Sequence, residues 1–95
     1  MNIVITQFTK ETNWIKGKAY NYEFVAKHFD EGSSYGIRNG RTSKLWVCDS
    51  TRKCVANYDR GWDIRPATKE LEKVVNDIID YLEKLPKRFV RSENE

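Results

Sequence analysis

The chain has 95 residues, of which 39% are hydrophobic and 13% aromatic, and its formal net charge is +3. This length suits one domain whose core is roughly one sheet face against one helix, and it excludes a second domain. The chain lacks a run of about 18 apolar residues, and residues 1–6 lack the pattern of a signal peptide, so we expect no membrane span and a cytoplasmic location. We assign residues 1–90 to a single domain and residues 91–95 to a disordered tail.

The first third of the chain has strand composition. Ile3 to Phe8 is rich in β-branched residues, and the polar run Thr9 to Asn13 predicts a turn. Trp14 to Phe29 alternates over a long span and predicts one strand, in which Gly17 indicates a bend, a bulge or a close backbone approach. The alternation predicts a set of side chains facing the helix: Tyr20, Tyr22, Phe24 and Ala26.

A glycine-rich segment from Asp30 to Thr42 is the longest predicted loop. Its Asn39-Gly40 pair favours a type I′ turn, so Tyr35–Ile37 is expected to pair with Arg41–Ser43 in a small hairpin. Long loops on small scaffolds often carry binding residues, although connecting loops without a role are commoner.

The next hairpin is predicted from Leu45–Cys48 and Cys54–Tyr58, which brings the sheet to about four strands in consecutive order. Cys48 and Cys54 would then face each other, either as a cross-strand disulfide or as two reduced thiols, the commoner state without a secretion signal. A zinc site would need two further ligands, and His28 is the only histidine. We expect no metal.

The last element is an amphipathic helix from Leu71 to Leu85, preceded by Pro66 and Thr68 and ended by Pro86. Its apolar residues recur at the 3.6-residue period of one helix face: Leu71, Val74, Val75, Ile78, Ile79, Leu82 and Leu85. The sequence therefore predicts an α+β fold, an antiparallel meander of about four strands with one C-terminal amphipathic helix packed on one face.

Enzymatic chemistry has little support in the sequence. Neither cysteine has an activating neighbour, and the loop glycines do not match a phosphate-binding motif. Asp59 and Asp63 are a potential acid–base pair, but we favour a structural role for their segment, in which Gly61 permits a positive φ and Trp62 fills the junction between sheet and helix. We expect no enzyme and no cofactor.

Basic and aromatic residues are the main functional signal. Between positions 38 and 65, seven basic residues stand against three acidic ones, which indicates either solvated strand edges or a surface for an anionic partner. Together with Trp14 and Trp46 these residues suit single-stranded nucleic acid, and the same residue types are hot spots in protein interfaces. We predict contact residues on the exposed sheet face and in the loop from Asp30 to Thr42: Tyr35, Arg38, Arg41, Lys44, Arg60 and Trp62.

Four segments carry a distinctive set of motifs: Phe24-Val25-Ala26-Lys27, Ser34-Tyr35-Gly36-Ile37, Gly40-Arg41-Thr42-Ser43-Lys44-Leu45 and Tyr58-Asp59-Arg60-Gly61-Trp62-Asp63. Over most of residues 14–82 the chain resembles a family of small uncharacterised proteins from phages and Gram-positive bacteria. The resemblance implies a mobile-element setting, in which small proteins often act as stoichiometric inhibitors of host defence, anti-CRISPR proteins among them. We therefore expect a non-catalytic binding module for a host protein or nucleoprotein, with direct nucleic-acid binding as the alternative.

Overall fold

The computed structural model of the protein describes residues 2–9 and 11–86. In this part of the chain, six strands and one α-helix follow one another: β1 Ile3–Thr9, β2 Trp14–Ala19, β3 Tyr22–His28, β4 Thr42–Cys48, β5 Cys54–Asp59, β6 Trp62–Ile64 and α1 Lys69–Glu83. A short 3-10 turn over Ile37–Asn39 lies between β3 and β4. Within these residues no helix has both the length and the apolar character needed to cross a membrane. The assignment of residues 91–95 to a disordered tail lies outside the described residues.

All six strands form one antiparallel sheet in the order β1-β2-β3-β4-β5-β6. Each strand pairs with its neighbour in sequence, so the α+β class and the meander are confirmed. The expected number of about four strands is wrong. The sheet has six because the span from Trp14 to Phe29 contains two strands, and because Trp62–Ile64 pairs with β5.

The predicted long strand is broken by a turn at Tyr20 and Asn21. Tyr20 has a φ of 58°, a left-handed conformation that ends the strand. On β2 the odd-numbered Ile15 and Ala19 are buried in the core, whereas on β3 the even-numbered Phe24 and Ala26 are buried. A single strand would keep one parity throughout, so the change of parity places the hairpin at this turn.

The side chains expected to face the helix divide into two groups. Phe24 and Ala26 belong to the core together with the helix stripe, and Tyr22 packs against that core while half-buried. Tyr20 departs from the prediction, because it lies in the turn and stays 44% exposed. It reaches the helix through its hydroxyl group, which donates to Asp77 Oδ2 at 2.7 Å.

The helix α1 begins and ends two residues before the predicted Leu71–Leu85. The Thr68 hydroxyl oxygen caps its first turn by accepting a hydrogen bond from the Leu71 backbone N–H at 3.1 Å. Leu85 lies beyond the helix and packs half-buried against the core. The rest of the predicted stripe is buried, with no residue more than 6% exposed: Leu71, Val74, Val75, Ile78, Ile79 and Leu82. The amphipathic helix on one face is confirmed.

Strands β1 and β2 approach closely at Gly17. A Cβ atom at this position would lie 2.5 Å from Cζ of Phe24 and 2.6 Å from the carbonyl oxygen of Val4. Gly17 pairs with Ile5, where the register of β1 shifts before Gln7. The predicted close approach is confirmed, since the side chain of any larger residue at position 17 would overlap the Phe24 ring.

The loop between β3 and β4 contains a tight turn shifted by one residue from the prediction. Arg38 and Asn39 both have a φ of 57°, the sign that a type I′ turn requires at its two central positions, whereas Gly40 has a φ of −97°. The Gly40 backbone N–H donates to the Ile37 carbonyl at 2.9 Å and closes the turn. The central pair is therefore Arg38-Asn39 rather than Asn39-Gly40.

Two other local predictions are wrong. Among the described residues, Tyr35–Ile37 forms no ladder with Arg41–Ser43, because β4 begins at Thr42 and pairs with β3 and β5. Gly61 does not take a positive φ; the neighbouring Arg60 does, with a φ of 59°. The reversal from β5 into β6 thus falls one residue earlier than its glycine suggests.

Candidate binding surface

The sheet face opposite α1, which we call the outer face, exposes apolar side chains near its centre. Residues paired across antiparallel strands point to the same side, so the register places one row across β2 to β6: Lys16, Val25, Trp46, Asn57 and Ile64. Trp46 is 50% exposed and Ile64 is 41% exposed. This row therefore presents apolar and aromatic surface to solvent.

The adjacent row combines aromatic rings with charged groups. It consists of Trp14, Lys27, Lys44 and Asp59 across β2 to β5. The Lys27 ammonium lies 5.8 Å from the centre of the Trp14 ring and 5.9 Å from that of Phe29, within the range of cation–π attraction. Lys44 Nζ lies 3.7 Å from Asp59 Oδ1.

Two depressions on this side of the sheet share Lys44. The first has a volume of about 160 Å³ and lies between Trp14 and Trp46. The second has a volume of about 480 Å³ and is lined by Lys27, Phe29, Glu31, Ser33, Tyr35, Ser43, Lys44 and Arg60. We define the aromatic–basic surface by seven residues that line these depressions: Trp14, Lys27, Phe29, Tyr35, Lys44, Trp46 and Arg60.

Three of the six predicted contact residues meet in the second depression. Tyr35 is 60% exposed there, beside Lys44 and Arg60. The Tyr58 hydroxyl donates to the Tyr35 carbonyl at 3.0 Å and ties the loop to β5. Arg60 Nε lies 3.5 Å from Asp59 Oδ1, so one carboxylate holds both cations beside the depression. The binding role of these three residues stays a prediction.

Arg38 lies elsewhere, on the exposed side of α1. Its Nη1 atom is 3.1 Å from Asp80 Oδ1, and its Nη2 atom donates to Asn76 Oδ1 at 2.5 Å. Its side chain remains 52% exposed. The left-handed turn at this position directs the guanidinium away from the second depression.

Arg41 closes the C-terminal end of α1. Its guanidinium donates to the carbonyl oxygens of Phe29 at 2.8 Å, Glu83 at 3.1 Å and Leu85 at 2.6 Å. Its Nη2 atom lies 3.7 Å from Asp30 Oδ1, and the side chain is only 11% exposed. Carbonyl groups at a helix end lack partners within the helix, and a buried cation supplies them here. Arg41 therefore has little surface left for a contact with another molecule.

Trp62 lies on the side of the sheet that faces the helix. Its ring meets that of Tyr58 edge to face, with 5.2 Å between the centroids. The ring is half-buried against the core and lies near Pro66 and Val75. This position agrees with a residue that fills the sheet–helix junction.

Residues 13–83 match a domain of unknown function, DUF7678. The chain belongs to this family. The match runs from Asn13 to the last residue of α1, so it includes every residue of the aromatic–basic surface and leaves β1 outside. None of the curated proteins and none of the solved structures matches the chain.

Two members of the aromatic–basic surface, Lys27 and Phe29, were not predicted from the sequence. Both were assigned to a single long strand that ended at Phe29. The change of parity at Tyr20 pairs Trp14 with Lys27, and the exit from β3 then brings the Phe29 ring within 5.9 Å of the same ammonium. The signal that could have shown this pairing is the change of parity of the apolar residues between Ala19 and Tyr20, next to the turn-forming Asn21.

The titratable groups of the DUF7678 domain do not converge on a metal site. Among residues 2–9 and 11–86, no three or more histidine, cysteine, aspartate and glutamate side chains are grouped to hold an ion. Asp59 is engaged by Lys44 and Arg60, whereas Asp63 is exposed on the opposite strand of the turn. His28 is fully buried, with Nδ1 2.8 Å from the Thr42 hydroxyl oxygen.

Proposed function

We propose that this DUF7678 protein is a non-catalytic binding module that holds a partner protein on its aromatic–basic surface. The observation that carries the proposal is the asymmetry of the sheet. One face is covered by α1, whereas the other exposes Trp46 and Ile64 beside partly exposed rings and cations. Solvent-exposed apolar groups clustered with such residues are typical of interaction sites.

The composition of the surface supports a protein partner. Tryptophan, tyrosine and arginine contribute most of the binding energy in protein interfaces, and Trp46, Tyr35 and Arg60 are exposed on this side. The apolar row around Trp46 would form the desolvated centre of the contact, and the lysines around it would form a polar rim. Such a rim suits a partner whose matching surface is acidic.

The charge balance argues against a polyanion as the first candidate. Five cations stand near three carboxylates on this side of the sheet, for a net charge of +2: Lys16, Lys18, Lys27, Lys44, Arg60, Glu23, Glu31 and Asp59. Two of the cations already bind Asp59. Nucleic-acid binders typically neutralise several phosphates, which requires more uncompensated charge.

Single-stranded nucleic acid is the second candidate, favoured by the accessible rings. Trp14, Phe29, Tyr35 and Trp46 line the two depressions that share Lys44, and they offer faces on which bases can stack. The mobile-element setting implied by the sequence motifs suits either partner, since a small host-directed inhibitor binds a host protein or nucleoprotein in stoichiometric amounts. An anti-CRISPR type of inhibitor is one form of this activity.

The test compares two arginines in affinity capture from host lysate, followed by mass spectrometry. Arg60→Ala removes an exposed cation inside the aromatic–basic surface, and Arg38→Ala removes an exposed cation outside it that is also paired with a carboxylate. We expect a stoichiometric partner retained by the wild type and by Arg38→Ala, and lost or weakened at least about tenfold by Arg60→Ala and Trp46→Ala. A partner that all four proteins retain equally would refute the assigned surface.

A salt titration with a fluorescent single-stranded oligonucleotide separates the two candidates. We expect weak binding that does not depend on Trp46. If instead Trp46→Ala abolishes binding, and the logarithm of affinity falls with the logarithm of salt more steeply than a slope of about −2, the surface belongs to nucleic acid.

A further inference from the structure

Cys48 and Cys54 lie directly opposite each other at the end of the β4–β5 hairpin, as their spacing predicted. Both are free thiols and both are half-buried. The five-residue loop between them is held by Asp49, whose backbone N–H donates to the Lys53 carbonyl at 3.0 Å. Its carboxylate also accepts hydrogen bonds from the backbone N–H of Thr51 at 2.9 Å and of Lys53 at 3.0 Å. The loop thus holds the two strand ends in a defined position.

This arrangement meets the geometric requirement for a disulfide. Residues directly opposite each other in antiparallel strands have Cα atoms about 4.5–5.5 Å apart, within the range of about 4.4–6.8 Å found in disulfides. The register shift between Val47 and Cys48 also interrupts the regular ladder beside this pair.

We propose that Cys48 and Cys54 form a reversible modification site, a cross-strand dithiol that exchanges with low-molecular-weight disulfides such as oxidised glutathione. One protein thiolate attacks a sulfur of oxidised glutathione, which forms a mixed disulfide and releases one glutathione thiolate. The second protein thiol loses its proton and attacks the protein sulfur of that mixed disulfide, which releases the second glutathione. Two electrons pass from the cysteines to glutathione, and the product is the Cys48–Cys54 disulfide.

The surroundings of Cys48 make the exchange slow rather than catalytic. Burial raises the pKa of the Cys48 thiol, and the neighbouring Cys54, Asp49 and Glu23 raise the pKa further. The thiolate is the attacking species, so this site lacks the activation of a redox enzyme and responds to a sustained change of redox potential. The inference does not depend on the proposed binding function.

The experiment equilibrates the full chain with mixtures of reduced and oxidised glutathione, then uses alkylation, intact-mass measurement and peptide mapping. We expect one product that lacks two hydrogens and carries a Cys48–Cys54 link. In buffer the link should still form at a ratio of reduced to oxidised glutathione at least about tenfold higher than in urea, because the strands are unpaired in urea. Closing this short loop should also raise Tm by on the order of 10 °C.

Single-cysteine variants provide the matched control. Cys54→Ser and Cys48→Ser should each carry one glutathione adduct and no internal link. The proposal fails if the wild type instead carries two glutathione adducts, or if the internal link forms at the same ratio in buffer and in urea. The comparison of buffer with urea uses only the wild type, so it decides the matter even if a variant does not fold.

Discussion

Replacing Arg41 with alanine should destabilise the fold, although this residue was predicted to contact a partner. The side chain is 11% exposed and makes three hydrogen bonds to carbonyl oxygens, two of them just at the end of α1. Alanine would remove the donors and leave the carbonyls of Glu83 and Leu85 without their present partner. At the helix end, the loop would keep only the hydrogen bond from the backbone N–H of residue 41 to Glu83 Oε2, which is 2.7 Å long in the wild type.

The magnitude follows from the number of bonds and their burial. A hydrogen bond that involves a charged group contributes about 1.5–3 kcal/mol, but the helix-end carbonyls can regain water after truncation. We therefore expect a loss of about 2–4 kcal/mol in the free energy of unfolding for Arg41→Ala. In a domain of this size that corresponds to a fall in Tm of roughly 10–20 °C.

Arg38→Ala is the matched control, because Arg38 lies three residues earlier in the same loop and is also bound to an acidic side chain. Its side chain is 52% exposed, and exposed ion pairs contribute about 0–1 kcal/mol. Urea unfolding followed by circular dichroism measures both variants, and amide exchange should show the loss at the C-terminal turn of α1. Equal stability of the two variants, within about 0.5 kcal/mol, would refute the structural role assigned to Arg41.

Two further predictions concern packing and pH. Gly17→Ala should lower the free energy of unfolding in urea by about 1–3 kcal/mol, because its methyl group would lie 2.5 Å from a ring atom of Phe24. Gly61→Ala is the control and should leave stability unchanged, because a methyl group there would have no atom within 4 Å. Equal losses in the two variants would contradict this prediction. Hydrogen bonds from Lys73 and then Tyr20 lower the pKa of Asp77, so Tyr20→Phe should raise that pKa in an NMR titration. A carboxyl group whose pKa is lowered by folding stabilises the fold at pH values above its ordinary pKa, and this stabilisation is lost as the pH falls through the lowered pKa. The loss of stability in Tyr20→Phe should therefore be complete at neutral pH and become smaller in acid. An unchanged titration of Asp77 would refute this hydrogen bond.

The helix was predictable because the spacing of its apolar residues can be read from neighbouring positions in the sequence. The stripe from Leu71 to Leu82 needs only the 3.6-residue repeat, and burying it requires a sheet face of matching width. The order of the strands followed from short connections, which leave each strand beside its neighbour in sequence. The break at Tyr20 was missed although the sequence holds two signals for it: the apolar residues change parity between Ala19 and Tyr20, and Asn21 is a typical turn residue. Neither signal outweighed the strand composition on both sides of the turn.

In the candidate site, the sequence predicted the types of contact residue but not which individual side chains are available for binding. The sequence indicated that arginine, lysine and aromatic residues between positions 35 and 62 were the functional signal, and three of them meet beside one depression. It had no means of separating Arg38 from Arg41, since both are arginines in one glycine-rich loop. Their difference is set by which atoms of a distant helix each guanidinium reaches, Asp80 for one and the carbonyl of Leu85 for the other.

The sequence by itself determined the fold class, the meander and the buried face of the helix, because hydrophobic periodicity and short connections act over neighbouring residues. Only the tertiary structure decided which charged side chains remain available to a partner. Arg41 is buried at the helix end, whereas Arg38 stays exposed beside α1, and that difference depends on contacts between residues more than 40 positions apart, such as Arg41 with Leu85 and Arg38 with Asp80.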